Sequence, residues 1–439
     1  MNQASYEPGS EERKLSKAAP VEMKSTPKKK VNPWDLYGAP LAEHDQVDPE
    51  KVIQGALEAT KSWANMSFKE RCAIYNKAAK LVESPEYRWK PMAASMIDQG
   101  KTCGQTEGDY IAEVIDTLNF HVYSCQFDLS SSRLEYRPIE GFVLAISLFN
   151  FTALRAHIAF MPALLGNVIL WKSSPVVVLS NYLLYQIMKE AVYIIPAFAI
   201  LRAPCTQIGT KTDIYKNFPR IVGESGGKNF HLIHDSCKDD VEWLASEAVC
   251  SAYKQTGQST ALLTLELVPK TIWEQEAAFQ RFEQFVQPAQ EDSHELIYGG
   301  NTNGSKGLFG LESDLMTKEL FGPLFAVQIY DDASPTGFEN VCDLTDSTSD
   351  YALAGSVFTR HRMAVKIAHE KLHDSVEMFC INDKSTGTII GAHPFGGARS
   401  SGTNDKANSM NVLGFSSIRC VKDSYVSSSS TLSAYHVPE

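Results

Sequence analysis

The chain has 439 residues, of which 44% are hydrophobic and 21% charged, and its formal net charge is −11. That length exceeds what one hydrophobic core usually supports, so two or three domains are expected. The acidic balance argues against a nucleic-acid binder, and no apolar run reaches membrane-spanning length, so neither a nucleic acid nor a membrane is an expected partner.

Residues 1–32 are polar, enriched in Lys, Pro and Ser, and end near the run Lys28-Lys29-Lys30. The composition reads as disordered. It carries Glu7, Glu11, Glu12 and Glu22 against the single Arg13, whereas import signals are Arg-rich and acid-poor, so a cytoplasmic protein is expected. Apolar residues then recur at helical spacing over 48–63, 67–83, 87–100 and 108–129. Asp48 and Ser67 are suited to N-caps, Glu70 completes a capping box after Ser67, and Gly100 is a C-terminal stop. These helices are expected to pack as one layer.

Residues 134–147 read as an extended arm running into a buried strand at 142–146. A second buried strand follows at 168–171 and an amphipathic helix at 180–192. Apolar strands alternating with helices imply an α/β fold with a parallel sheet. Asn150 and Lys172 lie just past the carboxyl ends of the two strands, where open sheets place their ligands. Residues 248–269, 320–331 and 379–406 form a second α/β region. Its last part is a long loop rich in Gly and small polar residues, a kind more often functional than idle. Residues 425–433 are a Ser-rich tail without a core-forming pattern.

The nine cysteines, Cys72, Cys103, Cys125, Cys205, Cys237, Cys250, Cys342, Cys380 and Cys420, form no CxxC pair, so neither a metal site nor a dithiol motif is expected. Residues 221–231 read IVGESGGKNFH and set Glu224 before Gly226 and Gly227. Glycines let backbone approach a neighbour closely. Glu224 is either a solvated turn residue or part of a pocket wall, where burial would raise its pKa and suit it to general-base work.

Five stretches carry a resemblance: EGFVLAISLFNFTA (140–153), PALLGNVILWKSS (162–174), FPRIVGESGGKNFHL (218–232), KELFGPL (318–324) and INDKSTGTIIGAHPFGGARSSGTNDKA (381–407). In order and wording they resemble the aldehyde dehydrogenase superfamily, in the branch that oxidises glutamate semialdehyde, the pyrroline-5-carboxylate dehydrogenases. The resemblance implies a Rossmann-like NAD domain (33–226, without 133–141), a small β oligomerisation arm (133–141), an α/β catalytic domain (227–407) and a carboxyl-terminal segment (408–439). It implies a homo-oligomer acting on a small-molecule semialdehyde, with the mitochondrial matrix as the alternative compartment.

Residue by residue, Glu224 matches the glutamate that activates water for thioester cleavage, and Asn150 the amide that holds the oxyanion. Lys172 and Ser174 match residues on the adenosine side of NAD, and Glu319 and Phe321 those at the nicotinamide ribose and ring. Phe151 and Phe395 resemble an aromatic pair around the substrate chain. Gly387 and Thr388 resemble the loop that holds its α-carboxylate, where the family usually has Ser in place of Thr388.

The chain departs from the family at the nucleophile. The family loop reads like GQKCSA, and here GQSTALLTLELVP (257–269) places Thr260 at the cysteine position. Cys250, ten positions upstream, is expected to be a buried helix cysteine without a role. A strand-turn-helix of the cofactor domain is missing between 193 and 220. Arg155 and His157 replace small residues, and either narrow the nicotinamide's approach or lie on the helix surface. Three readings stand open: an NAD-dependent semialdehyde dehydrogenase, impaired at Thr260; a non-catalytic scaffold subunit; or a pocket with non-redox chemistry in which Glu224 is the base.

Overall fold

The computed structural model describes residues 9–25, 49–124, 133–174, 177–191, 219–253, 263–269, 317–319, 325–387, 393–406 and 411–421. Thr260, Phe321 and Thr388 lie outside these residues, as does the stretch 193–218.

Within 1–32, expected to be disordered, Glu11–Ser25 instead forms a helix, α1. Acidic Glu11 and Glu12 open it and Lys24 closes it, which complements the helix dipole. It packs against α4 (Pro85–Gln99). Helices α2 (Pro49–Asn65) and α3 (Phe68–Glu83) follow the expected pattern. Ser67 and Glu70 form the full capping box, with Ser67 N–H donating to Glu70 at 2.9 Å, and Gly100 ends α4 in the left-handed region at φ 64°. A short α5 (Cys103–Thr106) runs through a π-helical turn (Glu107–Ala112) into α6 (Glu113–Ser124). The π turn leaves Glu107 and Asp109 buried on its inner side.

Strand β1 (Arg133–Pro138) leads to β2 (Val143–Ile146), α7 (Thr152–Leu164), β3 (Ile169–Lys172) and α8 (Val178–Ala191). β2 and β3 pair in parallel, Ile146 opposite Lys172. Tyr75, Tyr110, Leu118, Ala156, Leu164 and Trp171 sit in one core between this sheet and the helices.

The second region holds β4 (Asn229–Ile233), α9 (Val241–Tyr253), β5 (Leu263–Pro269), β6 (Ala326–Tyr330), α10 (Gly337–Ser347), β7 (Tyr351–Ala352), β8 (Ala354–Phe358), α11 (Arg362–Lys371) and β9 (Met378–Ile381). Five of its strands form a parallel sheet in the order β6-β5-β4-β8-β9. β4 and β8 are buried throughout, as strands covered on both faces must be. A short β10 (Ala398–Arg399) pairs with β7.

The arm expected at 133–141 is half of a two-stranded antiparallel ribbon. Its other half is β11 (Ser416–Val421), from the carboxyl-terminal segment, with Arg133 opposite Val421 and Pro138 opposite Ser416. β2 begins at Val143, one residue after the expected strand start at Phe142, and the expected helix end at 129 lies outside the described residues.

Candidate active site

The parallel strands of the second region carry the candidate residues at their amino-terminal ends. Glu224 precedes β4 and Glu319 precedes β6. Glu224 is set by backbone: it bridges to Gly402, Ser225 N–H donates to Ser401 O at 2.8 Å, and Thr403 N–H donates to Gly223 O at 3.0 Å. The segment 221–227 is thereby stitched to the Gly-rich loop at 393–406. Of the two readings of Glu224, the solvated turn is not the one found, since its side chain is 1% exposed. Its carboxylate accepts from the Lys406 ammonium, whose side chain is 10% exposed. Lys406 also lies 5.9 Å over the ring of Phe395. Glu377 fixes that part of the loop by accepting from the backbone N–H groups of Gly396 and Gly397.

Glu319 is seated against the same turn. Burial pushes its carboxyl up to about 7, with the nearby charge of Glu224 adding and the Gly227 N–H and Lys228 opposing. Gly227 N–H donates to Glu319 Oε1 at 3.0 Å. Gly226 makes the approach possible: a Cβ there would collide with Glu319 Oε2, and its φ of +150° suits only glycine. Gly226→Ala is therefore expected to expel Glu319 from the turn. The lost hydrogen bond and strain cost about 1–2 kcal/mol in urea unfolding. A carboxyl titrating near 7 should vanish from the NMR spectrum, and its persistence would contradict this geometry.

Asn150 is buried four residues past β2, ahead of α7. Phe151 occupies the N-cap position of α7 without a side-chain cap. The cap comes from another helix: Asp109 accepts from Thr152 N–H at 2.8 Å and Ala153 N–H at 3.0 Å. Lys101 binds the same carboxylate at 2.6 Å and lies 4.3 Å over the Phe151 ring. Each ring of the expected aromatic pair thus carries a buried cation, which the sequence did not suggest. Burial alone would push the Asp109 carboxyl up. The Lys101 charge and hydrogen bond, with the two amides, outweigh it and hold the carboxyl below its ordinary value.

Arg155 and His157 do not lie on the helix surface, because both are buried in the helical layer at 1% exposure. Arg155 donates to Phe151 O at 2.8 Å, Thr152 Oγ1 at 2.8 Å and Ser180 Oγ at 3.3 Å. His157 Nε2 lies 2.9 Å from Lys406 O, and since a carbonyl only accepts, that nitrogen carries the hydrogen. His157 Nδ1 then accepts from His121 Nε2 at 2.9 Å. Burial pushes His157 down to about 4, which keeps the pair neutral. The pair anchors the backbone of Lys406 to α7.

Lys172 ends β3 and is half-buried. Ser174 follows, its carbonyl accepting from Ser173 Oγ at 3.1 Å. This pairing of a cation and hydroxyls past a parallel strand suits a ribose, so the donor set on this side fits the adenosine end of a dinucleotide. Gly387 adopts φ +100° with open space around it. Beside it, Thr386 Oγ1 is buried without a hydrogen-bond partner among the described residues, so a hydroxyl stands ready for an acceptor. Cys250, expected to be a buried helix cysteine, does lie on α9, but on its outer face, where it is exposed.

A model of the aldehyde dehydrogenase family matches residues 22–201 and 274–421. The stretch between them, which holds Glu224 and Thr260, falls outside that match. The mitochondrial delta-1-pyrroline-5-carboxylate dehydrogenase of Emericella nidulans is 36% identical over 461 residues, covering 86% of this chain and 80% of its own. The delta-1-pyrroline-5-carboxylate dehydrogenase of Agaricus bisporus is 33% identical over 533 residues, covering 99% and 96%. That alignment is longer than the 439-residue chain, so it opens gaps in this chain. Among solved structures, the Mycobacterium tuberculosis delta-pyrroline-5-carboxylate dehydrogenase bound with NAD and cobalamin superposes with a TM-score of 0.82 at 26% identity, covering 100% of this chain and 98% of that one. By sequence match and by fold, this chain belongs to the aldehyde dehydrogenase family.

Proposed function

We propose that this chain keeps the substrate pocket of a pyrroline-5-carboxylate dehydrogenase and has lost most or all of its oxidative turnover. Relatives from Emericella nidulans and Agaricus bisporus carry that activity in their names. Asn150, Glu224, Phe151, Phe395 and Gly387 support a pocket for a short semialdehyde bearing a carboxylate, and the unpaired Thr386 hydroxyl supports the carboxylate end. The observation that carries the reading is in the sequence: Thr260 stands where the family loop has its cysteine, while Glu224 is retained. A free thiol, with a pKa of about 8.5, is partly ionised at neutral pH, whereas an alcohol needs a dedicated base. Glu224 is not free for that task, because its carboxylate is taken up by Lys406.

NAD supplies this family with its hydride acceptor. In this chain Lys172 and Ser174 would hold the adenosine side and Glu319 the nicotinamide side. The helical layer does the positioning: Asp109 fixes the start of α7, and with it Asn150 and Phe151. The β1–β11 ribbon, with Ile418 exposed, supports assembly into a homo-oligomer. The mitochondrial name of the Emericella relative supports the matrix as the compartment, and the cytoplasmic expectation finds no support among the relatives.

Purified chain given NAD and pyrroline-5-carboxylate is expected to show no growth of reduced-nicotinamide absorbance above the blank. Turnover on the order of 10 per second, ordinary for an enzyme, would reject the reading.

A further inference from the structure

Lys406 has no role assigned by the family resemblance, yet it is the hub of the site. Its backbone is held from α7 by His157, its ammonium meets Glu224, and the same ammonium lies 5.9 Å from the centre of the Phe395 ring. The order of exposure matters. The Glu224 side chain is 1% exposed and that of Lys406 10%, so of the two the amine is the more open to a small ligand. An amine in largely dry surroundings, next to a proton acceptor and an aromatic ring, is the arrangement in which lysines add to carbonyl groups.

We propose that Lys406 is a covalent site for short acid-aldehydes, which it holds as an imine. On addition, Nζ bonds to the carbonyl carbon and one ammonium proton passes to the Glu224 carboxylate. A second proton moves from the nitrogen to the oxygen to give the carbinolamine, whose hydroxyl then takes the proton back from Glu224 and leaves as water, so that a C=N bond replaces C=O. The nitrogen keeps one proton as the iminium. Nothing is oxidised or reduced, so no dinucleotide is needed. The proposal takes its ligand class from the pocket reading above, and it stands apart from the question of turnover.

The other lysine at this turn, Lys228, is the competing amine. Burial pulls it down to about 8 against the opposing charge of Glu319. It follows directly on the Gly226–Gly227 turn on which Glu319 is seated.

The test uses the full chain, without NAD, incubated with succinic semialdehyde and cyanoborohydride, and peptide mass spectrometry of the reduced adducts. Succinic semialdehyde has no amine and cannot cyclise. Lys366, whose side chain is 64% exposed, is the internal standard for reaction by exposure alone. The expected result is adduct on Lys406 about tenfold ahead of Lys366 despite its burial, from proximity to base and ring. Glu224→Gln should bring Lys406 down to or below the level of Lys366, with Lys366 labelling and the circular dichroism spectrum unchanged. Lys406→Arg should remove the fast adduct. Labelling of Lys406 no faster than Lys366, or a fast adduct on Lys228 in its place, overturns the proposal. A chain that reduces NAD yet still labels at Lys406 would sink the loss of turnover and leave the imine site standing. A chain silent in both assays would do the reverse.

Discussion

Thr260→Cys is expected to give the chain a burst of acyl transfer that the parent lacks. With a chromogenic active ester such as nitrophenyl acetate, the variant should release about one equivalent of nitrophenolate quickly, then turn over slowly. The parent should show neither phase, and the difference in the initial rate should be about a thousandfold or more, as expected when a nucleophile is restored to a site that otherwise persists. The physical basis is ionisation. A cysteine near its usual pKa is a few per cent thiolate at pH 7, while a secondary alcohol is not measurably ionised. The oxyanion that forms would be met by Asn150, buried past β2. The ester assay is independent of NAD, so gaps on the cofactor side do not mask the outcome. An absence of burst, with the new thiol shown to be accessible to an alkylating reagent, would mean that residue 260 is not at the acyl-transfer position and that the placement from Gly257-Gln258 is wrong.

How much of this site could be read from the chain depends on distance along it. Ser67 and Glu70 are three residues apart, and their mutual caps are visible in the sequence because helix geometry fixes such short spacings. β2, β3 and the α8 helix were legible for the same reason, through periodicity. Glu224 was legible as a residue, and the family resemblance turned an ambiguous turn carboxylate into a candidate base. Its partner was not, because Lys406 is 182 positions away and no local rule joins them. Asp109 was missed although a signal existed: α7 opens at Phe151 with no capping side chain of its own, so its amides had to find an acceptor elsewhere. Which acceptor was a matter of packing. The same holds for β11, whose residues SSIRCV were counted with a tail because their pairing strand lies some 280 residues earlier. Helix α1 shows a different limit. Its composition is that of a solvated segment, and it is ordered by contact with α4 rather than by its own pattern.

Asp109→Ala is the substitution expected to cost the fold most. One buried carboxylate there answers four demands: the Lys101 ammonium, the Arg155 guanidinium through its charge, and the two free amides that start α7. Lys101 and Asp109 side chains are each 1% exposed, so solvent cannot replace what is removed. Deleting one partner of a buried ion pair costs about 3–5 kcal/mol, and loss of a helix cap adds about 1. The sum is a large part of a typical domain's stability of about 5–15 kcal/mol. Asp109→Asn keeps an oxygen for the amides and removes only the charge, so it should cost less than alanine, at about 3 kcal/mol. Lys101→Met combined with Asp109→Asn should recover part of that loss, since the cation then left near the lost charge is Arg155, which keeps the opposing charge of Asp98. Urea unfolding followed by tryptophan fluorescence reads the effect, because Trp63 and Trp171 lie in the core that α7 closes. The same change should loosen Asn150 and Phe151, which enter the site from the start of α7. The Thr260→Cys burst, measured in the Asp109→Asn background, should therefore fall as well. A loss below about 1 kcal/mol for Asp109→Ala would show that water or rearranged neighbours satisfy Lys101 and Arg155, and that α7 does not depend on a borrowed cap.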